Sequence, residues 1–219
     1  DPRAQETILR FAGEDAPEMV LELVQGRSLR EVLRDDGPMP PSLARRVCAK
    51  VLESLAEAHA LGIVHRDLKP DNIMLVGSGK LTSAKVLDFG ISGVIDDAND
   101  PVDGAKKDAS GLNVETITRQ GQVRGTLSYM APEQLVMFSQ PRLETDIYAV
   151  GLILLECLTG AQAMSGGSSM DICRKQMQEN PTIPQQLFDF GLGDLIAKAT
   201  QKDPNLRFLS AEAMFSALD

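Results

Sequence analysis

His65-Arg66-Asp67-Leu68-Lys69-Pro70-Asp71-Asn72 is the stretch on which the reading of this chain turns. A carboxylate, an ammonium and a carboxamide fall within eight residues, and Pro70 keeps a helix from running through them. Asp67 and Asn72 are five apart with Lys69 between them, so a loop can present all three groups to one point. Sixteen residues after Asn72, a short apolar run ends in Asp88-Phe89-Gly90 and adds another carboxylate. An acceptor for a hydroxyl proton, a cation for a transferring phosphoryl group and two oxygen ligands for Mg2+ are what phosphoryl transfer needs. Ordinary turn formation would explain Lys69 alone, but not Asp67, Asn72 and Asp88 together.

The flanking segments read as supports. Pro41 in a first turn and Gly62 as a stop bound a long helix. Its Leu43, Val47, Val51 and Leu55 recur every fourth residue, and Arg45, Arg46, Lys50 and Glu53 take the other face. His59 near its end reads as a packed or capping residue, not a ligand. After the loop, Ile73–Val76 and Lys85–Leu87 read as strands around a Gly77-Ser78-Gly79-Lys80 turn. That turn lacks the first Gly of a phosphate-binding loop and leads into a strand, so it is not one. Upstream, Thr7–Ala12 is a short apolar run, and Met19–Val24 is a strand ended by Gln25-Gly26. Ser28–Asp36 is a short helix with Ser28 and Glu31 as a capping box. Downstream, Thr145–Gly160 is apolar nearly all round and so predicts a buried helix. Asp146 in its first turn is the exception, a carboxylate that must be met by donors. Ser169–Glu179, Phe188–Thr200 and Ser210–Leu218 read as further helices, the last two joined by Asp203–Phe208. Residues 96–111, rich in Asp, Ala, Gly and Lys, predict a flexible, solvated insertion.

The chain has 219 residues, 43% of them hydrophobic and 24% charged, enough for a substantial core. A net charge of −9 disfavours nonspecific binding to nucleic acid or to an anionic membrane surface. Three widely spaced cysteines, Cys48, Cys157 and Cys173, read as reduced thiols. The longest apolar run, in Ala149–Leu158, is too short to span a membrane. With no signal peptide and no Met at position 1, the expectation is a cytoplasmic piece of something longer, including the cytoplasmic part of a membrane-anchored protein.

The eight-residue loop, then Asp88-Phe89-Gly90, then Ala131-Pro132-Glu133 resemble, in order, the protein-kinase signature set. Asn72-Ile73-Met74-Leu75 and Gly37-Pro38-Met39-Pro40 are similar in wording to bacterial, Hanks-type serine/threonine kinases. The resemblance implies an α+β, protein-kinase-like fold. Residues 1–24 would be a remnant of the N-lobe with its last strands and hinge; residues 25–219 would be the helical C-lobe, with an activation segment over 88–133. It implies Asp67 as catalytic base, Lys69 beside the γ-phosphoryl, and Asn72 and Asp88 as metal ligands. It implies ATP and Mg2+ as cofactors, Mn2+ being a possible substitute. Leu21 would be the gatekeeper, the backbone of Glu22 and Val24 would meet adenine, and Met74 would lie against its ring; a plain edge strand over Met19–Val24 is the alternative. Thr126 would bond Asp67 and Lys69, Asp146 would grip the catalytic loop, and Arg207 would pair with Glu133. Arg66 would meet a phosphate on the activation segment. Thr116 and Thr118 resemble an autophosphorylation pair; two solvent-facing threonines are the competing reading. Lys69 and Gly125-Thr126 resemble the serine/threonine class, so the partners implied are proteins bearing Ser or Thr.

A complete kinase also begins with a Gly-rich loop, a strand Lys and a helix Glu. None precedes the hinge candidate, and Lys50 and Lys80 follow it. Two expectations result: a serine/threonine kinase represented by a truncated domain, or a non-catalytic kinase-like scaffold that binds through its helical surface. The presence of Asp67, Lys69, Asn72 and Asp88 together favours the enzyme.

Overall fold

A helix with no polar face lies at the centre of the molecule. The computed structural model describes residues 9–11, 19–21, 24–77, 82–89, 122–136 and 142–218. In chain order the strands and helices are β1 (Leu9–Phe11), β2 (Met19–Leu21), β3 (Arg27–Ser28), α1 (Leu29–Asp36) and α2 (Pro41–Ala60). Then come β4 (Ile73–Val76), β5 (Ser83–Val86), α3 (Gln122–Leu127) and α4 (Leu143–Thr159). The chain ends with α5 (Ser169–Gln178), α6 (Gln186–Asp189), α7 (Gly193–Ala199) and α8 (Ala211–Ser216). Every residue of α4 from Thr145 to Cys157 is buried, as its sequence predicts. Its Ile147, Leu152, Ile153, Leu154 and Leu155 share one core with Val47, Val51, Leu52 and Leu55 of α2. α2 also packs on α8 and β5, and α4 on α7.

Local chemistry accounts for the element ends. Ser28 accepts from the Glu31 amide at 3.1 Å while the Glu31 carboxylate accepts from the Ser28 amide at 2.8 Å, which is the capping box that starts α1. α4 stops at Gly160, whose φ of +73° suits a left-handed C-cap. The three cysteines are free and buried, and burial pushes the Cys48 thiol up to about 12.

Three expectations need correction. The helix over Phe188–Thr200 is two helices, because Gly191 takes φ +68° between them. The strand placed at Lys85–Leu87 runs from Ser83 to Val86; the Leu87 amide instead bonds the Asn72 carbonyl at 2.8 Å. Of the strand placed at Met19–Val24, Met19–Leu21 is strand, paired antiparallel with β1, and Val24 is not; residues 22 and 23 lie outside the described residues. Residues 78–80 of the expected hairpin turn and the whole of the 96–111 insertion lie outside the described residues. β3, which pairs Arg27 with Leu75 and Ser28 with Met74, was not legible: two residues carry no periodicity.

Candidate active site

The loop between α2 and β4 is built on one buried carboxylate. Asp146 is 1% exposed and sits in the first turn of α4, where the helix dipole favours an anion. Its oxygens accept from the backbone amides of His65 at 2.8 Å and Arg66 at 2.9 Å, and from His59 Nε2 at 2.9 Å. The Arg66 carbonyl accepts from the Gln134 amide group at 2.7 Å, and Gln134 Oε1 accepts from the Ala131 backbone at 2.9 Å. Arg66 is therefore clamped on both sides of its Cα, at φ +68°. A non-glycine residue in that region costs about 1–3 kcal/mol and persists only where its surroundings enforce it. The next amide, Asp67, bonds back to the His65 carbonyl at 2.9 Å, turning the chain sharply so that Asp67 faces the loop's interior.

His65 ties this turn to the Asp88 segment. Its buried ring donates from Nε2 to the Leu87 carbonyl at 2.8 Å, leaving Nδ1 to accept from the Asp67 amide at 3.3 Å. Its centroid is 5.0 Å from that of Phe89. The site groups then meet. Lys69 Nζ donates to Asp67 Oδ2 at 2.8 Å and to Thr126 Oγ1 at 2.9 Å. Asn72 Nδ2 donates to the Asp67 carbonyl at 2.9 Å and lies 3.4 Å from Asp67 Oδ2. Thr126 bonds Lys69; no bond runs from it to Asp67 among the described residues. Asp88 follows β5 at φ +60°, a second strained residue, with its side chain exposed.

Two observations bear on whether a nucleotide and a divalent cation fit here. Asp67 Oδ1 is buried with no partner among the described residues, an acceptor that these residues leave unsatisfied. Asn72 spends its NH2 on Asp67, which leaves its carbonyl oxygen for another partner; Asp88 brings a carboxylate two residues after β5, the strand paired with the one after Asn72. One carboxamide oxygen and one carboxylate are hard donors of the kind a small divalent ion takes alongside water and phosphate oxygens. The donors fit.

Of the other expected site residues, Glu133 and Arg207 form a bidentate pair at 2.7 and 2.8 Å. Arg207 is fully buried there. Met74 is half-buried on β4 and Val24 half-buried before β3. Leu21 ends β2, while Glu22, Thr116 and Thr118 lie outside the described residues. The Arg66 side chain is exposed. Gln134 was not singled out from sequence, because nothing in its composition or spacing marks it. His59 is packed, as expected, but it packs on Asp146.

The protein kinase domain family matches residues 6–217. The chain belongs to that family. Serine/threonine-protein kinase PrkC of Bacillus subtilis is 34% identical over 204 residues, 90% of this chain and 28% of its own length. A probable serine/threonine-protein kinase of Corynebacterium efficiens is 32% identical over 214 residues, 94% of this chain and 30% of its own. PknL of Mycobacterium tuberculosis is 33% identical over 206 residues, 93% and 46%. The chain thus spans less than half the length of these relatives. Its fold is that of a protein kinase domain, helix-rich with small antiparallel sheets, and the family uses ATP with a divalent metal. Among the described residues no helix of this kinase domain is long and apolar enough to cross a membrane.

Proposed function

We propose that this kinase domain transfers the γ-phosphoryl group of ATP to Ser and Thr hydroxyls of protein substrates, with Mg2+ as the working metal. The observation that carries this is Asp67, whose Oδ1 is buried and has no partner among the described residues while Oδ2 is held by Lys69. Asp67 orients the substrate hydroxyl and accepts its proton. Lys69, steadied by Thr126, neutralises charge on the transferred group. Asn72 and Asp88 are the metal ligands; the bound nucleotide supplies the phosphoryl group and the metal spreads its charge. Catalysis is then positioning plus preorganised electrostatics. Leu21, Glu22, Val24 and Met74 line the adenine side. The exposed Arg66 guanidinium receives a phosphate from the activation segment, with Thr116 or Thr118 as its source. Free, buried thiols and a need for ATP agree with a cytoplasmic setting.

The test is transfer of radiolabel from ATP to a generic protein substrate, with Mg2+ and with Mn2+ in parallel. Asp67→Asn should lower the rate by about 10²–10⁴-fold without moving the thermal midpoint. Equal rates for the variant and the parent would overturn the reading. Faster turnover with Mn2+ than with Mg2+ would overturn the choice of metal.

A further inference from the structure

Arg30, the second residue of α1, has no part in the site as described, yet its guanidinium reaches three of the segments that build it. Nη1 donates to Glu156 Oε1 at 2.6 Å and Nη2 to the Tyr129 hydroxyl at 2.5 Å; Nε lies 3.4 Å from Asp71 Oδ2. The Tyr129 hydroxyl donates to the second Glu156 oxygen and accepts from Gln162 Nε2 at 3.3 Å. The guanidinium carbon stands 5.7 Å from the Tyr129 ring centroid. Burial, and next the Glu156 charge, push the Tyr129 phenol far above its usual range, so it remains a neutral donor.

The placement of these partners is the point. Glu156 is 2% exposed, near the end of the apolar α4 whose first turn carries Asp146. A carboxylate buried there must be met by donors or a counter-charge, and Arg30 supplies both. Tyr129 lies three residues after Thr126, which accepts from Lys69. Asp71 immediately precedes Asn72. We infer that Arg30 is a positioning residue: by bridging Glu156, Tyr129 and Asp71 it holds the 126–129 segment and the Asn72 turn in register over α4. Its kinetic consequence rests on the phosphotransfer reading; its structural consequence does not.

Lys at this position can neutralise Glu156 but lacks the fork that also reaches Tyr129 and Asp71. Arg30→Met combined with Glu156→Gln removes the clamp without leaving a buried charge, which keeps the variant folded. Backbone hydrogen exchange reads the register directly, with the amides of Val47–Leu55 in α2 as the internal reference. In the double variant the amides of 70–72 and 126–130 should exchange at least ~10 times faster while α2 is unchanged. Arg30→Lys should fall between. In the same proteins kcat should drop about tenfold, with KM for ATP changing less than about twofold. Site amides as protected as in the parent, or loosened in step with α2, would overturn the inference and leave an ordinary ion pair. A parent chain that transfers no phosphate would count against the proposed function alone, and the exchange result would still decide this one.

Discussion

Asp146 and Glu156 are the two buried charged residues of α4, and they show what one residue can reveal. A carboxylate amid apolar neighbours must be met by donors, and that rule singled out Asp146 from sequence. The same rule applies to Glu156 with equal force. Its donors come from α1 and from the 125–130 segment, 126 and 27 positions away, and nothing in the local pattern points to them. For Asp146 the consequence can be measured. An Asn in its place keeps one acceptor oxygen and turns an NH2 toward donors, so one of the His65 and Arg66 amides is left unpaired. A buried donor without a partner costs about 1–3 kcal/mol. Asp146→Asn should therefore lower the urea midpoint of unfolding by a corresponding amount. Because the unpaired amide is in the turn that aims Asp67, the turnover rate should fall as well, by up to about 10²-fold for a shift near 1 Å. Wild-type turnover in a destabilised variant would show that the turn holds its shape without this grip.

Among the elements, legibility followed length and periodicity. α2 and α4, with 20 and 17 residues, were readable because an apolar stripe or an all-apolar surface repeats over several turns. The Phe188–Thr200 segment misled, since a single left-handed glycine in an apolar run looks like any other small residue until its φ is known. The site loop was legible for a different reason: its chemistry is local, with Asp67, Lys69 and Asn72 within six positions. What the loop itself does not show is which distant elements hold it: the resemblance supplied Asp146 and Thr126, but nothing marked Gln134, and His59 read only as a packed or capping residue, because its tie to Asp146 spans 87 positions. Close approach of elements was equally hidden. A Cβ on Gly151 would lie 2.9 Å from Ala199 Cβ and 2.8 Å from Thr200 Cγ2, so α4 and α7 meet almost backbone to backbone. Gly151→Ala gains about 1 kcal/mol of helix propensity. Against that, overpacking of this kind costs about 1–3 kcal/mol, and the Ala199 methyl has no rotamer by which to yield. The variant should be less stable than the parent in thermal unfolding, whereas a higher midpoint would mean that α7 can slide away at little cost.

Across the whole molecule, the pH dependence of stability should carry the mark of Arg207. This fully buried guanidinium meets Glu133 with two nitrogens and caps the carbonyls of Gln201, Lys202 and Glu144. Burial alone would raise the Glu133 carboxyl; the hydrogen bonds and charge of Arg207 outweigh it and bring it below its usual 4.5. A lowered carboxyl contributes stability that is fully present above pH 4.5 and is lost as pH falls through its folded value. On the other side, burial and then Arg207 lower Lys202 from 10.5 to about 8, although its ammonium donates to the Tyr148 hydroxyl at 2.8 Å. Below pH 8 the folded chain bears the cost of that buried charge; between 8 and 10.5 the unfolded chain binds more protons, so this group alone makes stability rise with pH. Urea unfolding from pH 3 to pH 10.5 reads both limbs. Glu133→Gln should flatten the acid limb while lowering stability at neutral pH, since Arg207 then lacks its anion. Lys202→Met should remove the alkaline rise and match or exceed the parent at pH 7. An acid limb unchanged by Glu133→Gln would assign acid unfolding to other carboxylates. A parent profile that keeps its alkaline rise after Lys202→Met would mean that this lysine reaches water and holds its proton in the ordinary range.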